Sequence, residues 1–284
     1  MNSIRKNRIK DQLFKIWGIV CTLIGLVLLT IFIGDILIDG IRRIDWNFII
    51  NLPSRKPEKS GIYTALMGSI WILISTTLIA FPLGVAAGVY LEEYAKKNRL
   101  SSLLEINISN LAGVPSIIYG LLGLEVFVRI MNLGASVLAG ALTLSLLILP
   151  IIIVATREAV KAVPKSIRDA SYALGASKWQ TIWNQVLPAS GGGILTGVIL
   201  ALSRAVGETA PLIVVGALAY VPFAPSNPMD EFSVLPIQIF NWISRPQHGF
   251  IENAAAAIII LLGITFVMNG IAVYFRNKWQ KKWK

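Results

Sequence analysis

"VPKSIRDASYALGASKWQTIWNQVLPAS", residues 163–190, decides the fold. It is the most informative polar stretch in a chain built mainly of long apolar runs, and it reads as two short helices around a glycine. Ser166 followed by Asp169 has the spacing of a capping box, in which side chains bond the free N–H groups of a first helical turn. Gly175 is the natural left-handed terminator of that helix. Ser177 with Gln180 gives a second capping box. The second helix carries Trp179, Ile182, Trp183, Val186 and Leu187 on one stripe and Lys178, Gln180, Thr181, Asn184 and Gln185 on the other, and Pro188 is expected to end it. By pattern alone the segment is a helical hairpin or an amphipathic connector lying on a membrane. A DNA-binding helix-turn-helix fits poorly, because the segment is tethered at both ends and has no supporting helical domain.

The flanking sequence explains the tether. A membrane span needs about 20 mostly apolar residues. Five runs qualify, about 16–38, 62–91, 133–156, 191–220 and 252–275. A sixth, about 104–130, is weaker. It holds Glu105, Asn107, Asn110, Pro115, Glu125 and Arg129, so it is expected among neighbouring helices or against water rather than against lipid. The first run follows "RKNRIK" (5–10), but it exceeds the roughly 7–15 apolar residues of a signal peptide and lacks a clear A-x-A site, so it reads as a retained anchor. The expected architecture is all-α and integral to the membrane, with six transmembrane helices and the hairpin in the soluble phase. The expected divisions are an N-terminal segment (1–15), the first transmembrane helix with its outer loop (16–61), a domain holding the remaining spans and the hairpin (62–275) and a basic tail (276–284).

Orientation follows from basic residues. With both termini cytoplasmic, 18 Lys and Arg fall in inner segments and 7 in outer ones, and Arg204 is the one left inside a span. The outer segment 221–250 holds five prolines, which exclude one continuous helix, although "VLPIQIFNWI" (234–243) suits a short interfacial one.

Composition removes several function classes. Only 14% of residues are charged, against about 25% in soluble proteins, and the net charge of +11 sits in short segments between apolar runs rather than on a nucleic-acid-binding face. Cys21 and His248 are the only residues of their kinds, so neither an intramolecular disulfide nor a Cys/His metal site is expected. No GxxxxGK[ST] phosphate loop occurs, and no nucleophile–base pair or catalytic carboxylate pair stands out.

The fourth clear run, "GGGILTGVILALSRAVGETAPLIVVGALAY" (191–220), carries Arg204 and Glu208 near its centre. On a continuous helix these are i and i+4 on one face, some 20 Å past Gly191 and close to mid-membrane. An isolated arginine there costs about 2.5–3.5 kcal/mol on insertion scales, part of which Glu208 offsets. One reading is a self-neutralising pair that fixes helix packing. The other is an anion site or gate, in which the guanidinium fork meets an oxyanion while Ser203 and Thr209 add hydroxyls. Elsewhere, Glu92 and Glu93 stand four residues before Lys96 and Lys97 and read as a solvated face. Glu125 with Arg129 reads as an interfacial ion pair, and His248 as an ordinary outer-loop residue.

Two stretches carry a family resemblance. "DASYALGA…VLP" is similar to the EAA motif of ABC importer permeases: Asp169, Ala170 and Ser171 match its opening, Leu174, Gly175 and Ala176 surround its glycine, and Leu187–Pro188 match its end. Asp for Glu, Ser for the second Ala and Gln185 for an aliphatic are departures. "ALSRAVGETAPLIVVGA" resembles the penultimate-span signature of the phosphate-specific members of that family, with support from "NLAGVPSIIYGLLGL" (110–124) and "LPIQIFNWISRPQHGF" (235–250). The resemblance implies a type I importer fold and a coupling role for 169–188. It also implies a phosphate path lined by Arg204 and Glu208. The implied partners are a second related permease, two copies of an ATPase that uses ATP and Mg, an external phosphate-binding protein and membrane lipid, in a bacterial inner membrane. No cofactor would be held by this chain itself. Another oxyanion such as sulfate or molybdate is the nearest alternative. A secondary transporter or channel would be expected to show an internal repeat, and 62–156 against 191–275 gives no convincing one.

Overall fold

The computed structural model describes residues 2–96, 98–217 and 220–282, with side chains undescribed at 2–6, 9 and 280–282. Lys97 and Lys284 therefore lie outside the described residues, as do the side chains of Arg5, Lys6, Lys281 and Lys282. Twelve α-helices follow in order: α1 (Asn2–Gly40), α2 (Trp46–Ile50), α3 (Tyr63–Val89), α4 (Arg99–Leu111), α5 (Ser116–Gly123), α6 (Val137–Lys161), α7 (Lys165–Ala173), α8 (Lys178–Thr181), α9 (Leu187–Gly207), α10 (Ala210–Val215), α11 (Leu235–Ile243) and α12 (His248–Lys282). Among the described residues there is no strand, only an isolated bridge between Ser136 and Glu231.

Among the described residues, five helical stretches are long and apolar enough to cross a membrane, and a bent pair, α4 with α5, raises the count to six if it forms one span. The weak sixth run is thus two helices bent by 101° rather than a straight span. The break has a simple cause. Pro115 has no N–H for the carbonyl four residues earlier and its ring crowds that carbonyl, and α4 ends at that residue, Leu111. The Tyr119 hydroxyl then donates to the Leu111 carbonyl at 2.8 Å, which satisfies one of the end groups the break exposes.

The α6 helix is the centre of the bundle, buried along much of its length. Small residues let its neighbours approach closely. Gly84 and Gly88 of α3 lie against Ile152 and Thr156, and Gly193 and Gly197 of α9 lie against Ala159 and Ala155. A second apolar cluster at the far end joins Phe48, Ile62, Leu235, Trp242 and Phe250. The predicted interfacial helix is α11, and it is a packed element of that cluster, with Trp242 fully buried. Arg43 fixes the adjoining loop: it bonds Asn253 at 2.7 Å and the carbonyls of Pro57, Glu58 and Ser60 at 3.0–3.2 Å.

Candidate functional site

The hairpin forms, with three changes from the sequence expectation. The α7 helix starts one residue before Ser166, directly after Pro164, so no Ser166–Asp169 capping box exists. Pro164 already has the φ of a helical entry, −57°, and Ser166 falls inside the first turn. At the other end Gly175 has φ +82°, and the amides of Gly175 and Ala176 bond the carbonyls of Tyr172 and Ser171 at 2.9 and 3.2 Å. That is the two-bond glycine cap expected there. The Ser177–Gln180 capping box is present in both directions.

Pro188, by contrast, does not end the second helix. Residues 178–207 form one helical run of 30 residues, α8 passing through a π-helical turn at Ile182–Val186 into α9. The wider π turn lies where the proline ring would otherwise crowd the carbonyl of Asn184. The Pro188 carbonyl in turn accepts from the Trp279 indole at 2.7 Å. The predicted apolar stripe also divides. Ile182 and Val186 are buried, whereas Trp179 and Trp183 stack on each other at 5.5 Å and are exposed. Thr181, placed on the polar side by pattern, is buried against Ser171, with 2.9 Å between the hydroxyls.

Asp169, Ala170, Tyr172 and Leu174 form the outward face of α7 and its turn, and Leu174 is 89% exposed. Arg168 points the other way. Its Nε and Nη2 donate to one oxygen of Glu93 at 2.9 and 2.6 Å, while Nη1 and Nη2 donate to the Val163 and Val160 carbonyls at 2.7 and 3.0 Å. Lys178 donates to the Glu93 carbonyl and lies over the Tyr94 ring. Beside them Arg157 bridges Glu92 at 3.1 Å and Glu105 at 2.8 Å. Glu92 and Glu93 are therefore not a solvated face. They close the π-helical end of α3, Tyr90–Tyr94, onto α4, α6 and the hairpin. The sequence signal was available in the unpaired Arg157 and Arg168, but only the fold brings residues so far apart together.

Arg204 and Glu208 sit at the opposite end of the same 30-residue run. The α9 helix stops at Gly207, four residues before Pro211, by the rule that ends α4. Glu208 is extended (ψ 125°), so the two residues are not on one continuous helix face as expected. They are nevertheless paired, Arg204 Nε to Glu208 Oε1 at 3.3 Å. The carboxylate side chain is 15% exposed and the arginine 45%. Among the described residues the two terminal nitrogens of Arg204 carry no bond. Ser203 is engaged elsewhere, donating to Asn269 of α12 at 2.7 Å, and the Thr209 hydroxyl reaches only the Gly207 carbonyl at 3.4 Å. Leu200, Arg204 and Gly207 form an open stripe on α9, one to two turns long, whose reverse side is buried on α6.

The remaining expectations have simple outcomes. Glu125 and Arg129 pair at 2.9 Å on the surface, and His248 opens α12 with Nδ1 3.3 Å from Glu252.

Comparison with known proteins agrees with this architecture. Residues 80–281 match the family model described as "Binding-protein-dependent transport system inner membrane component". The chain is 34% identical to the phosphate transport system permease protein PstA of Haemophilus influenzae over 91% of each chain. It is 35% identical to PstA 1 of Mycobacterium tuberculosis (strain H37Rv), over 74% of this chain and 69% of the relative. It is 32% identical to the probable ABC transporter permease protein YqgI of Bacillus subtilis, over 91% and 93%. In fold it is similar to a bacterial alginate ABC transporter in complex with its periplasmic protein, with TM-score 0.70 and 13% identity over 97% of this chain and 98% of that one. It is also similar to the MetNI methionine ABC transporter, with TM-score 0.60 and 17% identity over 77% and 94%.

Proposed function

The chain belongs to the family of binding-protein-dependent transport system inner membrane components, and from that premise we propose that it is the PstA-type permease subunit of an ATP-driven phosphate importer. It forms half of the path across a bacterial inner membrane, with both termini cytoplasmic. Its partners are a PstC-like second permease, a PstB-like ATPase dimer and a PstS-like extracytoplasmic phosphate-binding protein. ATP and Mg belong to the ATPase; this chain holds no cofactor and catalyses no reaction.

The observation that carries the reading is the state of Arg204. Its guanidinium is permanently charged and lies on an open stripe where a span breaks. Among the described residues it is held by a single bond through Nε, which leaves both terminal NH2 groups available. Those groups form the flat two-pronged donor that matches two oxygens of a tetrahedral oxyanion. Glu208 neutralises the arginine in the empty path and repels an arriving anion, so passage requires the pair to part. At the other end of the same run, the outward residues Asp169, Ala170, Leu174 and Gly175, with Ser171, Ala176, Leu187 and Pro188 behind them, form the segment that meets the ATPase. Arg204 is 26 residues from Lys178, or about 39 Å along a helix, so one rod links contact to path.

Uptake of labelled phosphate in cells lacking only the equivalent permease tests the reading, with sulfate as the control anion. The chain is expected to restore phosphate uptake, and its Arg204→Ala variant, inserted and assembled to the same level, is expected not to. Equal rescue by both removes Arg204 from the path. Restored sulfate uptake in place of phosphate overturns the substrate.

A further inference from the structure

We propose that Glu93 is a positioning residue for coupling, a latch that ties both helices of the hairpin to the end of α3. The inference rests on the reading of the hairpin as the ATPase contact. Glu93 has two acceptors, and each takes a different hairpin helix. Its carboxylate receives Arg168 from α7, and its carbonyl receives Lys178 from α8. The Arg168–Glu93 pair is largely buried, at 16% and 9% exposure of the two side chains. Arg168 also bonds the carbonyls of Val160, in the last turn of α6, and of Val163, just past it, so one guanidinium holds α3, α6 and α7 together.

The need for such a latch follows from the connections around the hairpin. Chain continuity alone carries motion from α8 into α9. The first hairpin helix has no such rod, since α7 joins α6 through a break at Ala162–Pro164 and joins α8 through the Gly175 turn. With the latch closed, a push on the outward face of α7 displaces α3, α6 and α9 as one body, because α3 and α9 are already locked onto α6 by close glycine contacts. With the latch open, the two turns absorb most of the same push, the Ser171–Thr181 hydroxyl contact alone passes a remainder to α8, and less of it reaches Arg204. Glu93 and Arg168 thereby set how much of each ATPase cycle arrives in the membrane.

The test uses the assembled transporter in liposomes, with ATP hydrolysis and labelled phosphate uptake read in the same vesicles. The chains compared are the wild type, Glu93→Gln, Arg168→Lys and the exchanged pair Glu93→Arg with Arg168→Glu. Both single variants are expected to assemble and hydrolyse ATP like the wild type, while phosphate moved per ATP falls about ten-fold, within the range of ordinary coupling constants. The exchanged pair is expected to recover part of that loss. Unchanged transport per ATP in the single variants overturns the latch, as does a loss of uptake matched by an equal loss of assembly. If wild-type vesicles hydrolyse ATP without moving phosphate, the phosphate reading falls and the latch is judged separately. The same chains, carrying Cys21→Ser and Leu200→Cys, are then alkylated with and without ATP. Loss of the ATP-dependent change in the single variants supports the latch, and its retention overturns it.

Discussion

Two arginine–glutamate pairs sit at the two ends of one helical assembly, and they are held in opposite ways. Arg168 is nearly saturated: four of its five N–H donors are used, two on Glu93, one on Val160 in the last turn of α6 and one on Val163 just past it, and the pair is mostly buried. Arg204 makes one bond of 3.3 Å and is 45% exposed. Both are charge-neutral pairs, so charge does not separate them. What separates them is the number of donors left over. A saturated guanidinium in a buried pair is a joint, because moving it leaves several groups unpartnered at once. An unsaturated one on an open stripe keeps donors that a ligand can use, which is the role proposed for Arg204.

The largest effect that tests the contrast is on stability. Glu93→Ala leaves Arg168 buried without its carboxylate, which is expected to cost about 3–5 kcal/mol. Arg204→Ala leaves Glu208, 15% exposed, without its arginine, but it breaks one bond of 3.3 Å rather than four, and a smaller cost is expected. Unfolding midpoints of the two variants in one detergent should therefore separate widely, with Glu93→Ala far below the parent. A fall in Arg204→Ala as large as that of Glu93→Ala breaks the distinction between joint and binding place.

Packing gives a smaller effect in the same direction. At Gly88, next to the latch, an added Cβ falls 2.7 Å from Thr156 Cβ and 2.9 Å from the Ile153 carbonyl. Gly88→Val is expected to cost about 1–3 kcal/mol through overpacking. At Gly207, next to Arg204, nothing lies within 4 Å of the added atom. Gly207→Ala is expected to leave the unfolding midpoint of the chain unchanged. A cost at Gly207 equal to that at Gly88 makes the stripe a packed surface rather than an open one.

The sequence shows the open end better than the joint. Arg204 and Glu208 are visible because a charge inside an apolar run is conspicuous, and the five clear spans follow from length and composition alone. The interruption at Glu208 was also written in the sequence, in the proline four residues after Gly207, as was the bend at Leu111 in Pro115. Neither proline is decisive by itself, since Pro82 and Pro150 lie inside helices that continue through them. The joint was illegible for another reason. Glu92 and Glu93 have lysines at i+4 in sequence, so local spacing offered a plausible pairing and concealed the real partners, Arg157 and Arg168. Residues 65 and 75 positions apart meet there only because α3 and α6 pack side by side. The buried Thr181 and exposed Trp179 escaped for the same reason, since the hairpin's faces are set by what it packs on.

A third carboxylate separates saturation from burial, with the smallest expected effect. Asp230 lies in the loop that covers the start of α6. It accepts from the backbone N–H groups of Ser226 and Asn227 at 2.9 Å and from the Ser226 hydroxyl at 3.1 Å. Those donors, the Ser226 amide first, hold its carboxyl below the ordinary value of 3.8. The same turn supplies carbonyls from Asp230 and Pro228 to the amides of Val137 and Leu138 at 3.0 and 2.8 Å, so it caps the first turn of α6. Because the folded value is the lower one, the stabilisation is complete above the ordinary carboxylate range and is lost as pH falls through the depressed value. A spin label at Met229 in a Cys21→Ser chain is expected to keep constant mobility between about pH 8 and pH 5 and to loosen only in more acidic solution. In Asp230→Asn the acid transition should vanish. Loosening near neutral pH instead would show that a partly buried carboxylate with three bonds on one oxygen is held no better than one with a single bond, and burial rather than the number of bonds would then be what makes Arg168 a joint.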